Sequence, residues 1–136
     1  MKGIVYQYIG NLDADASFDP DYYETILQHF SRDKLLGIAA GATVDVIDGV
    51  QHKTLSSDDS VGGITQFFRR ECWEQIGGYR PMKLGGEDST AEIMARVNGW
   101  KVMKIADLQV YHHREMGTGS WGIWDRRLYQ GRHFYS

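Results

Sequence analysis

A single cysteine, Cys72, stands among 136 residues. That excludes an intrachain disulfide and fits a reducing compartment. Long apolar runs are missing too: the longest, Leu35 to Val44, is about half of what a membrane span needs. Met1-Lys2 leads into Tyr6, Gln7 and Tyr8 rather than into an apolar stretch, so no signal peptide is read. The chain is expected to be soluble and cytoplasmic. No block of like charges occurs and the net charge is −3, which argues against a nucleic-acid partner. Only two prolines punctuate the sequence, and no repeat, low-complexity stretch or linker divides it. One domain over 1–136 is therefore expected. Neither a Walker-type run nor G-x-G-x-x-G follows a strand, so the common phosphate loops are excluded. What is present is ordinary for a globular protein: 42% hydrophobic and 24% charged residues, enough for one modest core.

The patterning alternates strands and helices. Ile4 to Leu12 is rich in Ile, Val and Tyr and reads as a strand. Asp19-Pro20 has the form of an N-cap followed by the first helical residue, and Tyr22, Tyr23, Ile26, Leu27 and Phe30 then follow at helical spacing. Leu36 to Ile47 reads as a long buried strand ended by a turn at Asp48-Gly49. Ser56 to Ser60 is polar and reads as a loop, and Gly62 to Phe68 as a short strand. A helix near Arg69 to Ile76 would be stopped by Gly77. A second runs from Asp88 or Ser89 to Asn98, with Ile93, Met94 and Val97 inward and Gly99 as its stop. Trp100 to Ile105 and Leu108 to His112 read as two short strands, and Trp121 to Phe134 as a helical tail. The sum is an α/β domain on a mixed sheet.

Several residues can carry chemistry. Asp13 and Asp15 leave the first strand one residue apart and offer hard oxygen ligands to Mg²⁺ or Mn²⁺. The plain alternative is a pair of turn aspartates. A second such pair, Asp19 and Asp21, already has a capping role at the helix start, whereas Asp13 and Asp15 have none. Glu87-Asp88 follows Gly85-Gly86 and opens a helix, so Asp88 is either a cap or a carboxylate held where substrate can approach closely. A base for an alcohol nucleophile needs such a group within hydrogen-bond reach. His112 and His113 are adjacent on a strand, point to opposite faces, and leave at most one as a ligand. Gly62-Gly63 marks either a bulge or a close approach of ligand. Trp121 or Trp124 is a candidate sugar platform, the alternative being a core or amphipathic-face role.

The order of these pieces is more specific than any one of them. Asp13-Ala14-Asp15, Gly62-Gly63 before Phe67-Phe68-Arg69-Arg70, Ile76-Gly77-Gly78-Tyr79, Glu87-Asp88, Gly99-Trp100 and Val110-Tyr111-His112 together resemble the family-2 glycosyltransferases of the GT-A fold, from about Tyr8 to Tyr135. The resemblance implies that Asp13 and Asp15 bind the divalent metal and the donor ribose-diphosphate, with Asp15 the firmer ligand. It implies that Asp88 is the catalytic base, that His112 completes the metal site with His113 as the fallback, and that Gly62 and Gly63 face donor and acceptor, beside Glu87. The βαβ units that open such proteins and hold the nucleotide base have no counterpart here. The fold expected is thus a partial GT-A domain, a mixed sheet flanked by helices.

The implied reaction moves a sugar from a nucleoside diphosphate to an acceptor hydroxyl with inversion, in polysaccharide or glycolipid synthesis. Arg126, with Arg127 and Arg132, either steers the diphosphate, sits near anionic lipid as a peripheral membrane contact of a full-length protein, or is simply solvated. Two other readings stand beside this one. Leu12 to Ser17 also fits the opening of a haloacid-dehalogenase-type Mg²⁺-dependent phosphatase, with Asp13 as nucleophile, although that family separates its downstream acidic pair and Glu87 and Asp88 are adjacent. The third is a non-catalytic, truncated binding domain.

Overall fold

The longest apolar segment organises the molecule. In the computed structural model, which describes residues 5–53, 61 and 64–114, Leu36 to Ile47 forms one strand, buried over its first half. Six strands and three helices are described: β1 (Tyr8–Gly10), β2 (Ala16–Ser17), α1 (Tyr22–Arg32), β3 (Leu36–Ile47), β4 (Val50–Lys53), β5 (Phe67–Arg69), α2 (Arg70–Ile76), α3 (Glu87–Val97) and β6 (Lys101–Arg114). The sheet runs β1-β5-β3-β6-β2, with β4 also paired to β3. β6 lies parallel to β3, and the other pairs are antiparallel. Asp48 and Gly49 both take positive φ, the two-residue hairpin geometry that turns β3 into β4.

Helices cover both faces of the sheet. Ile38 and Ala39 are consecutive and enter different cores, as the alternation of a strand requires. Ala39 joins Tyr22, Ile26 and Phe30 of α1, while Ile38 joins Phe68, Cys72 and Ile76 together with Ala91 and Ala95 of α3. The guanidinium of Arg69 closes the end of α1, donating to the carbonyls of Phe30 (2.6 Å), Asp33 (3.0 Å) and Leu36 (2.9 Å). These include carbonyls at the helix end, which has no further turn to satisfy it. Gly77 (φ 79°) ends α2 as the sequence indicates.

Six expectations are corrected. The first strand is three residues long rather than Ile4 to Leu12, because its partner β5 is equally short, and β5 itself begins at Phe67 rather than Gly62. α1 begins at Tyr22: Pro20 lies before it, and the amide of Tyr22 donates to the carbonyl of Asp19 in a turn. Its inward face is Tyr22, Ile26 and Phe30, while Leu27 faces out. In α3, Ile93 and Val97 are 58% and 76% exposed, and the buried positions are Ala91, Glu92 and Ala95. Two alanines one turn apart let the helix backbone approach the sheet, which larger side chains would hold away. Finally, the two short strands after Gly99 are one, β6. The pairing passes from Gly41–Ile105 to Ala42–Gln109, so residues 106–108 bulge out of the ladder. A Cβ on Gly41 would lie 2.4 Å from the carbonyl oxygen of Leu108, so only glycine fits opposite this bulge. The tail expected to be helical, Trp121 to Phe134, and the loop Ser56 to Ser60 lie outside the described residues.

Candidate functional site

β1 and β2 are at opposite ends of the sheet order, and residues 11–15 carry the chain from one to the other. Asp13 and Asp15 lie on this crossing. It is tied down along its length: the amide of Asn11 donates to the carbonyl of Gln66 (3.0 Å), that of Asp13 to Ile64 (2.9 Å), and that of His113 to the carbonyl of Asp15 (2.9 Å). β2 then pairs with the end of β6, Ala16 opposite His112.

This pairing brings distant residues together. Asp13, Asp15 and His112 each offer one ligand atom, and the three atoms lie within 4.8 Å of one another. His112 Nε2 is 2.9 Å from Asp15 Oδ2, and its side chain is only 12% exposed. His113 points the other way and meets Ser17 Oγ at 2.6 Å. Of the two adjacent histidines, His112 therefore faces the aspartates. The two carboxylates suit Mn²⁺ or Mg²⁺ in charge and donor type, and the imidazole adds a nitrogen donor of the kind that transition-metal ions accept more readily than Mg²⁺ does. Partial burial, and then the charge of Asp15, push the Asp13 carboxyl above its ordinary pKa, with Asp88 adding to the rise and His112 opposing it. A cation among these groups would relieve that repulsion.

Asp88 and Glu87 occupy the first turn of α3, where the helix dipole favours carboxylates. The cap position is Gly86 (φ 97°) and no side chain caps the helix, so Asp88 is not the N-cap. Both acids are half-buried. Asp88 is near enough to Asp13 for its charge to be felt there. Gly62, Gly63 and Arg126 lie outside the described residues.

A buried polar network, unmarked by any motif or spacing, joins these parts. Gln66 is completely buried. Its amide donates to Asn11 Oδ1 (2.7 Å), and its side-chain Nε2 faces the carbonyls of Val61 (3.2 Å) and Asp88 (3.3 Å) and Oε1 of Glu92 (3.3 Å). Tyr79 donates to Gln66 Oε1 and faces Asn11 Oδ1 at 3.1 Å. The carboxylate of Glu92 accepts the Val61 amide at 2.6 Å. The end of β1, the residue before Gly62 and the first turn of α3 are thereby held at fixed separations. Burial raises the pKa of the Tyr79 hydroxyl, and the charges of Asp88, Asp13, Glu87 and Glu92 raise it further, so it stays protonated and serves as a donor. Burial likewise pushes Cys72 up to about 12, which leaves that thiol inert.

One more carboxylate, outside the motifs, faces this site. Asp45 lies on β3 in direct register with His112, and its Oδ1 is 3.4 Å from His112 Nδ1. Its sequence signal was an acidic residue inside an otherwise apolar strand.

No family model matches this chain, and no curated protein matches it. Among solved structures it is similar to the mannosyltransferase PcManGT from Pyrobaculum calidifontis, determined in complex with GDP-Man and Mn²⁺. The TM-score is 0.66 at 18% identity, over 89% of this chain and 36% of that one. The likeness is one of fold: a mixed α/β architecture similar to part of a glycosyltransferase, of which the chain spans about a third of the length. Among the described residues, no helix is long and apolar enough to cross a membrane.

Proposed function

We propose that this chain is the metal-binding and acceptor-side part of an inverting, family-2 GT-A glycosyltransferase that uses a nucleoside-diphosphate sugar. The observation that carries the reading is the convergence of Asp13, Asp15 and His112 within 4.8 Å, on a fold similar to a glycosyltransferase. Asp13, Asp15 and His112 would hold Mn²⁺ or Mg²⁺. When bound, such a cation would supply positive charge to offset the negative charge that grows on the leaving diphosphate, with no proton transfer. Asp88 accepts the proton of the acceptor hydroxyl as the new bond forms. Attack from the face opposite the leaving group in a single displacement inverts the anomeric carbon. Tyr79, whose hydroxyl proton goes to Gln66 Oε1, belongs to the Gln66 network that holds the base helix at its distance from the metal ligands.

The phosphatase alternative has no comparable support, since Glu87 and Asp88 occupy one helical turn rather than positions several residues apart. The reading is tested by transfer from a nucleoside-diphosphate hexose, GDP-mannose first, by a version extended to the length of the similar structures. Proton NMR of the product should show the anomeric configuration opposite to that of the donor, formed only with a divalent cation present. A product of retained configuration would overturn the single-displacement mechanism.

A further inference from the structure

His112 is held between two carboxylates, and only one of them belongs to the metal triad. Its Nε2 faces Asp15 at 2.9 Å and its Nδ1 faces Asp45 at 3.4 Å. To bind a cation with Nε2, the ring must present a lone pair there and keep its proton on Nδ1. The group facing Nδ1 then decides which way the ring is turned and which tautomer it holds. Asp45 is well placed for this. It pairs with His112 in parallel register across β3 and β6, so both side chains leave the same face of the sheet at the same level. Each strand is fixed along its length: β3 is paired on one side with β6 and on the other with β4 and β5. The two side chains are only 12% and 21% exposed, so little water competes for Nδ1.

We infer that Asp45 is a positioning residue of the metal centre, which orients the His112 ring and holds the Nδ1–H tautomer so that Nε2 is directed at the cation. The inference rests on the metal-binding reading of Asp13, Asp15 and His112 and adds to it a residue that touches neither cation nor substrate. Carboxylates behind ligating histidines act in this way because the second hydrogen bond fixes the ring and makes the liganding nitrogen more basic.

The test is a titration of this chain with Mn²⁺ alone, following the free-ion electron paramagnetic resonance signal, for the wild type and for D45V, D45N and H112A. Asp45→Val suits a strand and removes the oxygen. It should weaken Mn²⁺ binding about 10-fold or more. Asp45→Asn keeps an oxygen that accepts the Nδ1 proton, and its affinity should fall between that of Asp45→Val and that of the wild type. Should Asp45→Val unfold, as judged by thermal melting, Asp45→Ala carries the same expectation. Wild-type affinity in Asp45→Val alongside a loss in His112→Ala would overturn the role of Asp45 and leave the metal centre standing. Equal losses in Asp45→Val and Asp45→Asn would also overturn it, since negative charge rather than ring orientation would then be what matters. Unchanged affinity in His112→Ala would overturn the metal-centre reading itself, and the role of Asp45 with it.

Discussion

The two helices α1 and α3 pack on opposite cores and do it with opposite kinds of residue. α1 buries Tyr22, Ile26 and Phe30 at 0–1% exposure, among the aromatic rings of Tyr8, Phe18 and Phe67. α3 buries two alanines and a glutamate. The first helix can be accounted for by apolar area removed from water. The second cannot, since alanine contributes little area and a buried carboxylate costs free energy unless its partners are supplied. What α3 gains is placement. Ala91 and Ala95 bring its backbone close, Glu92 pins the residue before Gly62, and its first turn carries Glu87 and Asp88. Both faces carry an apolar core, but α1 adds chiefly buried area, whereas α3 chiefly holds the proposed base in position.

Substitutions on the two helices should separate these roles. The largest stability effect belongs to α1: Phe30→Ala empties a fully buried aromatic site and should cost about 3–5 kcal/mol in denaturant unfolding. A loss below about 1 kcal/mol would mean that the aromatic core is not what holds α1. On α3, Glu92→Leu keeps the volume but leaves the buried Val61 amide and one contact of Gln66 without an acceptor, at about 1–3 kcal/mol. Its exposed neighbour Ile93→Gln should change stability by no more than about 0.5 kcal/mol and serves as the control. If Ile93→Gln were the more damaging of the two, the buried face of α3 would be misassigned.

The same contrast explains how much the sequence disclosed. β3 was legible from end to end, because an unbroken apolar run closed by Asp48-Gly49 has few other readings. α2 and its stop at Gly77 were legible from the requirement for a left-handed residue. The inward face of α3 is not legible from hydrophobicity, because Ile93 and Val97 outweigh Ala91 and Ala95 on that measure while lying in water. β6 reads as two strands, Trp100 to Ile105 and Leu108 to His112, because the bulge opposite Gly41 that takes up the residues between them is set by pairing with β3. Asp13 and Asp15 are legible from their place at the end of an apolar strand, and His112 from the order of short motifs; the structure brings these three together. Asp45 and Gln66 were not reached, because each matters through partners set by strand pairing between segments far apart in sequence. A glutamine among apolar residues shows nothing of the four groups it will meet.

The central claim is a division of labour: Asp88 acts on the acceptor, while Asp15 holds metal and donor. The most direct test compares Asp88→Asn and Asp15→Asn in an extended, transfer-competent version, measuring the transfer rate and the donor Kd in Mn²⁺ for each. Asp88→Asn is expected to lower kcat by about 100-fold or more with donor affinity nearly unchanged, the pattern of an interaction made only in the transition state. Asp15→Asn is expected to weaken metal and donor binding together. Full transfer activity in Asp88→Asn, or donor binding lost in Asp88→Asn as completely as in Asp15→Asn, would contradict this division of labour.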